Sequence, residues 1–230
     1  MIYVFPNCSK FEKEICEING IGRLFAFPTV PYIKEDSPIV ILDSGAFALN
    51  GKQMSKDYMI NLSEHYKKYN SENTICVAPD VINNPLKTMQ NYKNWIDSGL
   101  FSQISPVIQP QGKRTFSLES YKFQIDYYVK NFSPKKMLFA NWLTAQESIG
   151  LGIYEAVMYA KEKGVEWVHI LGAGWNLRDV ETWASVKAID SIDSIAYYTK
   201  GCDVRFGSKN PVENVRRIIK CIKRISQPAL

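Results

Sequence analysis

The sequence predicts an α/β fold, a (β/α)8 barrel of the TIM type. Eight short apolar runs rich in β-branched residues are each bounded by turn-forming residues. Between most of them lie segments with apolar residues at helical spacing. No Ser/Gly-rich linker, repeat or low-complexity segment interrupts the alternation, so residues 1–230 read as one domain of barrel size or slightly below it. The early strands are the weakest part of the pattern, and a doubly wound open sheet fits the same alternation.

The first strand is Ile2–Phe5, followed by a short helical segment over 11–18. Residues 23–27 form the second strand, and the Pro28/Pro31 region a loop. The third, Ile39–Leu42, runs into Asp43-Ser-Gly-Ala-Phe47, a carboxylate followed by small residues that permit a sharp turn. Residues 55–69 are helical, with Tyr58, Leu62, His65, Tyr66 and Tyr69 on one face, where His65 reads as a core or boundary histidine. The fourth strand is 74–78 and ends in Pro79-Asp80. A helix over 85–98 opens on Pro85, near the first-turn position that tolerates proline. The fifth strand, 104–108, ends at Gln109, and a helix follows over 117–130. The sixth, 136–140, ends at Asn141-Trp142, and the helix after it covers 153–163 and stops at Gly164. The seventh, 166–170, runs into Leu171-Gly-Ala-Gly174, followed by a helix over 177–187. The eighth, 189–195, contains Asp190 and Asp193. The last helix, 211–225, begins at Asn210-Pro211 and is sharply two-faced. Val212, Val215, Ile218, Ile219, Ile222 and Ile225 share one side; Arg216, Arg217, Lys220, Lys223 and Arg224 share the other.

Hydrophobic content of 46% and charged content of 22% are those of an ordinary globular chain. No apolar stretch approaches the ~20 residues a membrane span needs, and the N-terminus lacks the pattern of a secretion signal. The five cysteines are scattered without C-x-x-C spacing and only two histidines are present. Reduced thiols in a cytoplasmic protein are therefore expected, and neither a metal nor a cofactor is. Residues 201–230 hold seven basic and two acidic side chains, which accounts for the whole net charge of +5. That excess reads either as a solvated helix face or as a surface for phosphates.

In a barrel the chemistry sits where the strands end. Those positions are Asp43, Asp80, Gln109, Asn141/Trp142, Gly172–Gly174 and Asp193. For each taken singly, capping of a turn or a loop hydrogen bond is the alternative. Together, several carboxylates around one cavity suit a reaction that develops positive charge, such as cleavage of a glycosidic bond. One carboxylate attacks or stabilises the anomeric carbon and another handles a proton. Acid and amide side chains such as Asp80 and Gln109 suit the hydrogen-bonding edge of a purine-like base.

These segments resemble the tRNA-guanine (queuine/archaeosine) transglycosylase superfamily, most closely its compact zinc-free members that insert 7-deazaguanines into DNA. Asp43-Ser-Gly-Ala-Phe47 is similar to the D-S-G-G-F segment, Ala78-Pro-Asp80 to A-F-D, and Val107-Ile-Gln109 to V-Q-G. Residues 139–143 fall where the family has A-x-G-G-L, 169–174 resemble Y-L-M-G-V-G, and Ser191–Ser194 resembles M-F-D-C. The resemblance implies a nucleophile at Asp193 and a general acid/base at Asp43. It implies base contacts from Ser44, Asp80, Gln109, Asn141, Trp142, Leu143, Gly172 and Gly174. It also implies a compact barrel without a zinc subdomain, because the Cys/His cluster expected after the nucleophile is absent. The Gly-Gly of the recognition loop is Asn141-Trp142, Ala48 replaces a Gln, and the Arg that helps read tRNA is missing. These departures shift the expected partner from tRNA to DNA.

The expected activity is thus exchange of guanine for a 7-deazaguanine such as preQ0 or preQ1, through a covalent Asp193-glycosyl intermediate. Lys113, Arg114, Arg205, Arg216, Arg217 and Lys220 are the candidates for phosphate contact. A hydrolytic glycosylase with the same site differs only in its acceptor. A tRNA-directed enzyme and a non-catalytic nucleic-acid-binding subunit are further alternatives, the last opposed by the presence of both Asp43 and Asp193. Oligomeric state has no signal in the sequence.

Overall fold

A computed structural model describes residues 1–8, 10–32, 34, 36–46, 54–112, 115–141 and 143–226. Its strands are Ile2–Pro6 (β1), Gly22–Ala26 (β2), Val40–Asp43 (β3), Thr74–Val77 (β4), Ile104–Ser105 (β5), Val107–Ile108 (β6), Lys136–Ala140 (β7), Trp167–Leu171 (β8) and Ser191–Asp193 (β9). They form one parallel sheet in the order β5-β4-β3-β2-β1-β9-β8-β7-β6. β1 pairs with both β2 and β9, so the first and last strands are neighbours. The two strands at the ends of the order, β5 and β6, are separated in the chain by Pro106 alone, which makes the sheet a nearly closed barrel.

Pro106 explains why nine strands are seen where eight were expected. It has no N–H to give to the ladder, so the run 104–108 changes partner there. β5 pairs with β4 and β6 with β7, while the Pro106 carbonyl accepts from the Leu138 N–H at 3.0 Å. The last strand is shorter than the expected 189–195, and Asp190 lies just before it.

The helices are Glu12–Cys16 (α1), Lys56–Tyr69 (α2), Pro85–Asp97 (α3), Leu118–Phe132 (α4), Ala145–Gly150 (α5), Ile153–Glu162 (α6), Leu177–Ser185 (α7), Cys202–Phe206 (α8) and Pro211–Ser226 (α9). Side-chain oxygens start most of the longer ones by accepting from an orphan N–H: Ser55 for α2, Asn84 ahead of Pro85 for α3, Ser117 for α4 and Asn176 for α7. Two short helices, α5 and α8, were not foreseen. α5 begins with a capping box between Thr144 and Glu147, and α8 lies between two left-handed glycines, Gly201 and Gly207.

Alternation along the strands divides the apolar residues into two sets. Val4, Leu24, Ile41, Val77, Leu138 and Ala140 belong to a cluster inside the barrel. Phe5, Phe25, Leu42, Phe139 and Ile170, on the other parity, pack with helix residues such as Tyr66, Trp95 and Trp183. The described residues between β2 and β3 include no helix, and Arg23 is buried on the outer side of β2 in an ion pair with Glu12. Among the described residues no helix is long and apolar enough to cross a membrane. All five cysteines are buried and free.

Candidate active site at the strand ends

Asp43 closes β3, on the same parity as the interior residue Ile41. The turn beyond it requires glycine. Gly45 has φ +73°, and a Cβ there would lie 2.6 Å from the Phe27 carbonyl oxygen and 2.8 Å from the Tyr58 hydroxyl. That hydroxyl donates to the Ser44 carbonyl at 2.9 Å, fixing the turn to α2. Burial pushes the Asp43 carboxyl up to about 6, and the charge of Asp193 adds to the rise. The N–H groups of Gly45 and Ser44 oppose it.

Asp80, three residues beyond β4, is driven further. Burial and then the charge of Asp43 push its carboxyl up to about 7, against hydrogen bonds that stabilise the anion. Gln109 Nε2 donates to Oδ2 at 2.6 Å and Ser44 Oγ to Oδ1 at 3.5 Å. Gln109 is itself held on three sides. Its Oε1 accepts from the Asn83 N–H at 3.1 Å. Its backbone N–H and carbonyl pair with the side-chain amide of Gln124, both at 2.9 Å. The buried Gln124 on α4 thus fixes a rim residue from behind.

Asp193 ends β9 and is 7% exposed. Its Oδ1 accepts from the Gly172 N–H at 3.1 Å and lies 2.9 Å from His169 Nε2. His169 Nδ1 lies 2.8 Å from Ser191 Oγ, which also accepts from Trp167 Nε1 at 3.2 Å. Gly172, with φ +69°, holds its left-handed turn 3.0 Å from the Asn141 carbonyl oxygen, measured to where a Cβ would stand.

The structure therefore brings Asp43, Ser44, Asp80, Gln109, Gly172 and Asp193 to one end of the barrel, with carboxylates close enough to perturb one another electrostatically. Other expected contact residues are engaged within the protein. The Asn141 side chain organises its own loop, donating to the Leu143 carbonyl at 2.7 Å and accepting from Ser148 Oγ at 2.7 Å and the Leu143 N–H at 3.3 Å. The Gly174 N–H is taken by Asp179 at 3.0 Å and its carbonyl by the Tyr3 hydroxyl at 3.3 Å. Arg205 is spent on the carbonyls of Ala196, Thr199 and Lys200, closing the turn after β9. Arg217 pairs with Glu213 on its own helix, whereas Arg216 and Lys220 are solvent-facing on α9. Trp142, Lys113 and Arg114 lie outside the described residues, as do Phe47 and Ala48 of the turn after Asp43. Among the described residues no group of His, Cys, Asp and Glu is arranged to hold a metal ion.

Four participants were missed in the sequence: His169, Ser191, Gln124 and Tyr58. One signal was available for the first two. In adjacent strands His169 and Ser191 share the inward parity of Asp193, two residues beyond Ser191.

No family model and no curated protein matches this chain. Among solved structures it is similar to a β-methylaspartase of Clostridium tetanomorphum at 17% identity and a TM-score of 0.55, over 97% of this chain and 58% of that one. The chain thus spans less than two thirds of that protein. It is also similar to the BexX/CysO complex of Amycolatopsis orientalis, at 10% identity and a TM-score of 0.50, over 99% of this chain and 92% of that one. Likeness at these identities is likeness of fold.

Proposed function

We propose that this chain is a glycosyl-transferring enzyme that exchanges guanine for a 7-deazaguanine in nucleic acid, with DNA as the polymer. The observation that carries the reading is the trio of carboxylates at one barrel end, two raised to about 6 and about 7 and the third anchored by His169 and the Gly172 N–H. With 104–108 counted as one strand broken at Pro106, we read the nearly closed parallel barrel as one of the (β/α)8 type, and in such barrels active sites lie at this end.

In this reading Asp193 attacks C1′ of a guanosine nucleotide, and the electron pair of the broken C1′–N9 bond leaves with guanine. Asp43 and Asp80 suit the proton traffic, because carboxyls raised toward neutrality exist in both forms at the working pH. Asp80 presents its carboxyl to the base edge, and Gln109, buried and bonded at Nε2 to Asp80 and at Oε1 to the Asn83 N–H, holds that carboxyl in place. The incoming 7-deazaguanine gives a proton to Asp43 and takes the glycosyl group from Asp193. The target nucleotide must leave the helical stack to reach such a recess, and the exposed cations of α9 are the described candidates for its phosphates.

The test is release of labelled guanine from DNA and from tRNA in the presence of preQ0 or preQ1, with denaturing gels for a covalent adduct. Exchange that is lost in Asp193→Ala supports the reading. Absence of exchange with both polymers, or full exchange by Asp193→Ala, refutes it. Abasic sites formed without added base replace it with hydrolysis.

A further inference from the structure

We propose that His169 is a positioning residue for Asp193, holding Oδ1 of the carboxylate so that Oδ2 is the atom that attacks C1′. This rests on the glycosyl-transfer reading above. The inside of the barrel is otherwise largely aliphatic, with Val4, Leu24, Ile41, Val77 and Leu138 among its contents. A polar line crosses it nonetheless: Trp167, Ser191, His169 and Asp193, with both His169 and Ser191 fully buried. Buried polar groups in such surroundings are costly unless each is matched to a partner. The direction of every bond in the line follows from that requirement.

Indole Nε1–H only donates, so Ser191 Oγ accepts from Trp167. The Ser191 hydroxyl then gives its own proton to His169 Nδ1 at 2.8 Å. A neutral imidazole accepting at Nδ1 carries its hydrogen on Nε2, which donates to Asp193 Oδ1 at 2.9 Å. In the opposite tautomer a lone pair on Nε2 would face a carboxylate oxygen. That arrangement is tolerable only if Asp193 takes the proton and ceases to be a nucleophile.

The Gly172 N–H reaches the same Oδ1 at 3.1 Å, so among the described residues both hydrogen bonds to this carboxylate fall on one oxygen. Oδ2 carries the lone pair that forms the bond to C1′ as the C1′–N9 bond breaks. The released pair stays on guanine N9, which takes a proton from the Asp43–Asp80 pair. The Nε2 proton remains on His169 throughout, bonded first to a carboxylate oxygen and then to the ester carbonyl. Trp167 and Ser191 therefore act at a distance from the reacting carbon by choosing the tautomer of His169.

The experiment pairs a measurement on the resting protein with a kinetic one. ¹⁵N NMR of the imidazoles should show His169 as the Nε2–H tautomer in the wild type, and Asp193→Asn should shift that resonance. An Nδ1–H tautomer overturns the proposal whatever the activity. With DNA, His169→Leu should slow adduct formation by ~100-fold with KM changed less than ~3-fold. His169→Gln, which keeps a donor, should recover at least ~10-fold of that loss at an equal thermal midpoint. Equal rates for the Leu and Gln variants, or losses that follow thermal stability, refute a positioning role. If His169→Leu does not fold, Ser191→Ala serves in its place, with a shifted tautomer and a slower rate expected together. If the wild type forms no adduct with DNA or tRNA, the glycosyl-transfer reading and the role of Oδ2 fall. The tautomer then decides alone whether His169 holds Oδ1.

Discussion

Replacing Asp80 by Asn should stabilise the protein above neutrality, with a gain that disappears in acid. The carboxyl stands at about 7 against an ordinary 3.8, chiefly because it is buried and secondarily because Asp43 is near. The folded chain therefore holds this proton more tightly than the unfolded one. The stability associated with it is complete below 3.8 and is lost as pH rises from there through about 7. The full difference corresponds to ~4 kcal/mol. By accessible surface the burial of Asp80 is incomplete, and solvent screening together with its coupling to Asp43 reduces this to about 2 kcal/mol. Asn carries no charge at any pH, while its Oδ1 can still accept from Gln109 Nε2 and its amide can meet Ser44 Oγ. For a chain of this size 2 kcal/mol is about 4–8 °C in Tm. Thermal unfolding followed by circular dichroism at pH 4 and pH 8 reads the effect directly. Asp80→Asn should match the wild type at pH 4 and melt higher at pH 8. A variant less stable than the wild type at pH 8, or a gain of equal size at both pH values, would refute the placement of a desolvated carboxyl here.

Asp193→Asn should lower the carboxyl of Asp43 from about 6, because the Asp193 charge is the second cause of its rise; ¹³C carboxyl titration checks the direction. Glu12→Ala leaves the guanidinium of Arg23, 2% exposed, without its carboxylate, and should cost about 3 kcal/mol in urea unfolding. Gly174→Ala should cost roughly 1–3 kcal/mol in the same assay, since the residue has φ +85° and its Cβ would stand 2.9 Å from Tyr3 Cε2.

The fold was legible wherever a segment was long enough to show its period. Helices α2, α3, α4 and α9 fall within a few residues of the expected ranges, and β1, β3, β4, β7 and β8 within one or two. What failed was short or depended on partners. The six-residue α5 and five-residue α8 offer too few turns for an apolar stripe, and α8 is bounded by glycines that look like loop. Pro106 sits in an apolar run that continues on both sides of it. Only the change of neighbour, from β4 to β7, makes it a break.

The candidate site was legible as a list of strand-end residues and illegible as a network, because hydrogen-bond partners 24 residues apart, such as His169 and Asp193, meet only through register. For Asp193 that register is the whole matter. β9 has three residues, and a slip by one would turn the carboxylate away from the barrel interior and toward the helices. Three residues of ladder resist such a slip weakly, and Asp190 supplies the rest. Its backbone N–H binds the Val168 carbonyl at 3.0 Å, and its carbonyl accepts from the Ile2 N–H at 2.8 Å. Its side chain takes the Val168 N–H at 2.7 Å and Lys161 Nζ at 2.6 Å. Asp190 therefore ties the approach to β9 to β8, α6 and the start of β1 at once. In the sequence it was one of two acids in an expected strand, with nothing to tell them apart. In the fold one acid fixes the register and the other, three residues on, is aimed by it. A carboxylate near a strand end is therefore evidence about chemistry only once the residues that set its parity are known.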